Sequence, residues 1–98
     1  MVIWSDPAIL SLKSIFDYIA QDSRFYAQEV VDNIIKETEN LDVFPKMGRK
    51  VPEKNADEFR EIFVYSYRII YEISENIAIL NIIHAKQDLL KNMNKKED

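Results

Sequence analysis

The sequence predicts a two-layer α+β fold, in which an antiparallel three-stranded meander packs against a helical hairpin. Three observations predict it. A short β-branched run opens the chain at residues 2–4. Two apolar stripes at helical spacing follow, between residues 8 and 41. Beyond residue 58 the sequence turns to runs rich in Ile, Val, Phe and Tyr, broken by very short polar links. The predicted order is β-α-α-β-β-β within one domain of 98 residues.

Val2-Ile3-Trp4 reads as a first strand. Ser5-Asp6-Pro7 reads as a helix start: a side-chain oxygen accepts from an orphan amide, and proline suits the first turn because its missing N–H is not needed there. Ala8, Leu12, Ile15, Phe16 and Ile19 then form an apolar face, ending near Gln21. Asp22-Ser23 offers the next cap, and Ala27, Val30, Val31, Ile34, Ile35 and Leu41 form the second face. Phe44-Pro45 stops this helix, because proline disfavours helical geometry in the residue before it. Residues 46–57 read as the one long irregular segment and the most mobile internal one, with Gly48 supplying a positive φ in a turn. Strands are expected at 59–65, 67–74 and 77–83, joined by hairpin turns at Tyr65-Ser66 and Glu75-Asn76. Residues 86–98 predict a short final helix, with 94–98 as a tail.

Composition narrows the chemistry. The absence of cysteine removes disulfides, thiolate catalysis and Cys-based zinc sites. One glycine cannot build a Gly-rich phosphate loop, no serine lies in a nucleophile-elbow context, and no carboxylates show ligand spacing around His84. No metal and no cofactor are expected. The longest apolar runs are far too short to span a bilayer, and residues 1–6 show no secretory signal, so the expectation is a soluble cytoplasmic protein without a membrane partner. Net charge is −4, which argues against non-specific nucleic-acid binding. The charge is uneven: residues 1–45 carry −5 and residues 46–98 carry +1, with Lys46, Arg49, Lys50 and Lys54 against Glu53 at the start of the second half.

What remains for function is a cationic set: Arg49, Lys50, Arg60, Arg68, His84 and Lys86. Strand alternation puts Ile69, Tyr71 and Ile73 under the helices, and Arg68 and Glu72 on the open side of the sheet. There Arg68 either pairs with a neighbouring glutamate or is presented to a partner. Glu72 reads as a solvated strand residue and His84 as structural; Trp4, Phe16, Tyr18 and Phe44 read as core or core edge.

The arrangement resembles the RelE/ParE family of bacterial type II toxin–antitoxin toxins, most closely its ParE branch (plasmid stabilization proteins). The resemblance rests on Trp4 with Asp6-Pro7-Ala8, and on Phe44-Pro45-Lys46-Met47-Gly48-Arg49, which is similar to F-P-x-x-G-R. It continues with Arg60-Glu61-Ile62, Tyr67-Arg68-Ile69-Ile70-Tyr71, and Ile82-Ile83-His84-Ala85-Lys86. It covers residues 3–88. Gln87 stands where the family's closing H-x-x-R has arginine, and residues 86–98 contain no tyrosine. The resemblance implies a growth-inhibiting toxin that acts on DNA gyrase, neutralised by a cognate antitoxin through which it oligomerises. Arg49, Lys50, Arg60, Arg68 and Lys86 are then the target-contacting set. The alternative it implies is a RelE-like endoribonuclease that cuts mRNA in the ribosome, with Arg68 stabilising the phosphate and His84 transferring a proton. A further alternative is an inactive homologue that only binds antitoxin.

Overall fold

The computed structural model describes residues 1–84. The final helix and tail expected at 86–98, and with them Lys86 and Gln87, lie outside the described residues. The chain forms β1 (Val2–Trp4), α1 (Asp6–Ala20), α2 (Arg24–Glu39), β2 (Arg49–Lys50), β3 (Phe59–Val64), β4 (Tyr67–Ile73) and β5 (Ile77–His84). Two 3-10 turns, Asn40–Asp42 and Pro45–Met47, lead from α2 to β2. The five-stranded sheet has the order β1-β5-β4-β3-β2. β2 to β5 are antiparallel neighbours, whereas β1 runs parallel to β5. The two-layer α+β expectation holds, with β2 as an added edge strand inside the segment read as irregular.

The local signals act as read. Ser5 caps α1: its Oγ accepts from the Ala8 N–H (3.2 Å) and donates to the Leu80 carbonyl (2.9 Å). Ser23 caps α2, accepting from the Tyr26 N–H at 3.1 Å. Because Ser5 ties α1 to β5 as well as capping it, Ser5→Ala is expected to cost about 1.5 kcal/mol, and Ser23→Ala about 1 kcal/mol. Urea midpoints of the two variants check the order.

One face of the sheet is covered by the hairpin. Ala8, Val30, Ile34 and Leu41 from the helical side meet Ile69, Tyr71, Ile77, Ile79 and Ile82 from the sheet, all buried. Ile77, Ile79 and Ile82 break strict alternation, yet all enter the core. A bulge shifts the β4–β5 register between Ile70 and Tyr71, leaving Leu80 without an opposite residue. Asn81 repairs the polar balance there: its Oδ1 accepts from the Ile82 N–H (2.8 Å) and from Ser11 Oγ on α1 (2.9 Å). The β3–β4 turn is Tyr65-Ser66 as expected, with Tyr65 in the left-handed region (φ 56°) and its hydroxyl bonded to Asn33 of α2. The link to β5 is three residues, 74–76.

Two expectations are corrected here. Tyr18 and Phe44 are exposed, not core; Trp4 and Phe16 are half-buried. Gly48 has extended backbone (φ −77°, ψ 158°), so its role is not a positive φ. It is glycine because a Cβ would strike the Glu61 carbonyl and lie 2.7 Å from the Tyr71 hydroxyl.

Candidate functional site

Three connected groups of polar side chains organise the segment between α2 and β3. The first is built on Tyr71, whose ring is in the core. Its hydroxyl donates to the Pro45 carbonyl (2.6 Å) and accepts from the Gly48 N–H (3.0 Å). Burial raises the Tyr71 pKa, against the opposing effect of the Gly48 N–H bond, so the phenol stays neutral and able to donate.

The second group is built on Arg60. Its place opposite Tyr71 puts it on the same face of the sheet. Its guanidinium donates to the carbonyls of Gly48 (2.9 Å) and Asp57 (3.0 Å) and to Asp57 Oδ1 (2.5 Å). Asp57 also draws in Lys46 (3.4 Å) and Lys50 (3.9 Å). Together these bonds and the β2–β3 ladder pin residues 45–51, the first half of the segment expected to be mobile.

The third group lies on the open face. Glu61 is completely buried at the centre of a row of charges. Arg49 Nε donates to its Oε2 at 2.5 Å, and Arg68 Nε donates to its Oε1 at 2.6 Å. Arg68 also donates from Nη2 to Glu53 Oε1 at 2.8 Å. Arg49 lies 5.4 Å from the Phe63 ring, within cation–π range. Burial works against the Arg68 charge, but the hydrogen bonds to Glu53 and Glu61 outweigh it and hold its pKa above the ordinary arginine value.

The cationic set is therefore divided. Arg68 faces away from the helices, as alternation predicts, but only 8% of it is exposed, and it is spent on Glu61 and Glu53. Arg60 points to the helical face and clamps the loop. His84 lies opposite Tyr67 in the ladder, their rings edge-to-face at 5.1 Å. Arg68 and His84 neighbour opposite partners on consecutive rungs, so their side chains project to opposite faces of the sheet. Glu72 is half-buried, at the far end of β4 from His84. Arg49 and Lys50 keep more than half of their side-chain surface in solvent. Among the described residues, no three His, Asp or Glu side chains converge to hold a metal ion. Glu61 and Glu53 were missed as site residues; the available signal was Glu61 lying diagonally across from Arg68 on one face of neighbouring strands.

The acidic partners give this cluster a pH dependence. The Arg68 hydrogen bond holds the Glu53 carboxyl below its ordinary value of 4.5, and the Arg60 bond holds Asp57 below 3.8. A carboxyl with a depressed folded-state pKa contributes its stability above the unfolded value and loses it as pH falls through the folded value. Stability is thus expected to hold at neutral pH and to fall from about pH 5 downward. Asp57→Asn should flatten that fall, as measured by urea unfolding in acetate and citrate buffers.

The comparisons with known proteins bear on this arrangement. The family model for the ParE toxin of type II toxin–antitoxin systems, parDE, matches residues 2–89. The chain belongs to the ParE toxin family. A solved chain from the chromosomal ParDE TA system of P. aeruginosa is similar in fold: TM-score 0.70, 20% identity, covering 85% of this chain and 92% of that one. No curated protein sequence matches it significantly. The ParE match includes the Phe44–Arg49 corner, whose arginine and glycine the Glu61 and Tyr71 contacts now explain. Among the described residues, no helix of this ParE-family chain is long and apolar enough to cross a membrane.

Proposed function

We propose that this chain is a growth-inhibiting cytoplasmic toxin that acts on DNA gyrase by protein contact, without cutting a phosphodiester, and that a cognate antitoxin neutralises it. The observation that carries the non-hydrolytic part is the placement of Arg68 and His84 on opposite faces of the sheet. Cleavage by a 2′-hydroxyl needs a proton acceptor, a proton donor and a cation around one phosphate. Two groups separated by the thickness of a β-sheet do not serve one phosphate. Membership of the ParE family supports the toxin reading. In this reading Arg49 and Lys50 are the target contacts on the β2 edge, while Arg60 and Arg68 position the loop that carries them.

The test is DNA supercoiling by purified gyrase with added toxin. Inhibition or a trapped cleavage complex at micromolar toxin is expected. Lys50→Glu, at an exposed site, should weaken inhibition several-fold with an unchanged circular dichroism spectrum. An unaffected gyrase, together with A-site cuts on programmed ribosomes that vanish in Arg68→Ala, would overturn the proposal. Absence of growth arrest on induction without antitoxin would point instead to an inactive antitoxin-binding homologue.

A further inference from the structure

The outer surface of the helical hairpin is unusual for a face turned to water. Leu10, Tyr18 and Phe25 are 64%, 67% and 82% exposed. Leu10 and Tyr18 are eight residues apart on α1, so they lie on one side of it, two turns apart. Phe25 begins a matching row on α2: Phe25, Glu29, Asp32 and Lys36 follow at spacings of four, three and four, all exposed. Large apolar groups thus recur along a polar surface, the pattern of a face that meets a partner.

The polar groups between them are mostly of one sign. From Asp6 to Glu39 the exposed residues include six carboxylates and three cations. One of those cations, Arg24, is drawn over the Phe16 ring at 5.9 Å. On α2, Glu29 and Asp32 flank the path leading from Phe25. No ion pair between helix side chains is recorded for either carboxylate; Asp32 accepts a neutral hydrogen bond from Gln28 at 2.8 Å. A second copy of this chain would set acidic surface against acidic surface, which like-charge repulsion disfavours. An acidic segment meets the same repulsion.

Resting on the toxin–antitoxin reading, we infer that the antitoxin segment covering this hairpin is amphipathic and basic. Its apolar side chains seat against Leu10, Tyr18 and Phe25, and its Lys or Arg residues face Glu29 and Asp32. Such an interface draws its contact energy from the apolar groups. Its charge pairs set partner choice and association rate, and make binding weaken with salt.

The probe is the full-length product of the small reading frame adjacent to this gene, titrated against the full-length chain. Binding should weaken roughly tenfold between about 50 and about 300 mM salt. The double reversal Glu29→Lys with Asp32→Lys should weaken it about tenfold at low salt, with unfolding midpoints unchanged. Phe25→Ser should weaken binding at every salt concentration. Three outcomes overturn the inference while leaving the toxin–antitoxin reading intact: binding that ignores salt and both reversals, binding tightened by the reversals, and binding unaffected by Phe25→Ser. Self-association of the chain alone through this face also overturns it. A product that neither binds nor relieves growth arrest counts against the inference too. If the chain arrests no growth at all, the toxin reading itself fails.

Discussion

Replacing Glu61 by alanine is expected to lower the unfolding free energy by about 3 kcal/mol, the usual cost of breaking a buried ion pair from one side. The carboxylate has no water, and each of its oxygens is held by a different guanidinium. Its removal leaves Arg68, largely buried, with its charge less compensated, and frees the exposed Arg49. Glu61→Gln retains an acceptor and should cost about half as much. The converse variant, Glu61→Leu with Arg68→Met, replaces the pair with apolar volume and should recover most of the loss. Urea unfolding gives the answer: the midpoint should move with the m-value unchanged. A midpoint in Glu61→Ala equal to that of the unmodified chain would show that the buried carboxylate contributes nothing.

Gly48→Ala is expected to be nearly as damaging, at about 2–3 kcal/mol, through overpacking. The added methyl meets the Glu61 carbonyl, a backbone atom fixed in the β2–β3 pairing, and the Tyr71 hydroxyl. Neither is a flexible side-chain end. Tyr71→Phe removes the second obstacle but not the first, so Gly48→Ala combined with Tyr71→Phe should remain destabilised relative to Tyr71→Phe alone. Thermal unfolding of the four chains provides the cycle. Full additivity would mean that the hydroxyl plays no part in the clash.

The helices and their caps were legible because their causes are local. Ser5, Pro7 and Ser23 act within one turn, and the apolar stripes need only a helical period. The Tyr65-Ser66 turn is likewise set by neighbours. What escaped depends on distant partners. β2 is two residues long and exists only because Arg49 and Lys50 find Glu61 and Arg60 across the ladder. Gly48 carries the same composition signal as a turn glycine, and only the approach of Glu61 and Tyr71 separates the two roles. Arg60 and Arg68 looked alike as strand cations, yet ladder pairing sends one to the loop carbonyls and the other to a buried carboxylate. Asn81 was the one polar break in the last apolar run, and it marks the bulge. The exposure of Tyr18 and Phe44 has no counterpart in local sequence, because an aromatic at helical or turn spacing reads equally well as core.

The pairing of β1 with β5 also orders events in time. Val2 bonds across to Ile77 and Trp4 to Ile79, partners some seventy-five positions later in the chain. While the chain is being made, the earliest strand therefore has nowhere to lie. The hairpin can form first from contacts among its own residues, whereas closure of the sheet must wait for nearly the last strand. A lethal product assembled in that sequence is harmless for most of its synthesis, and its outer helical surface is on offer to a protector before the rest of the molecule is finished.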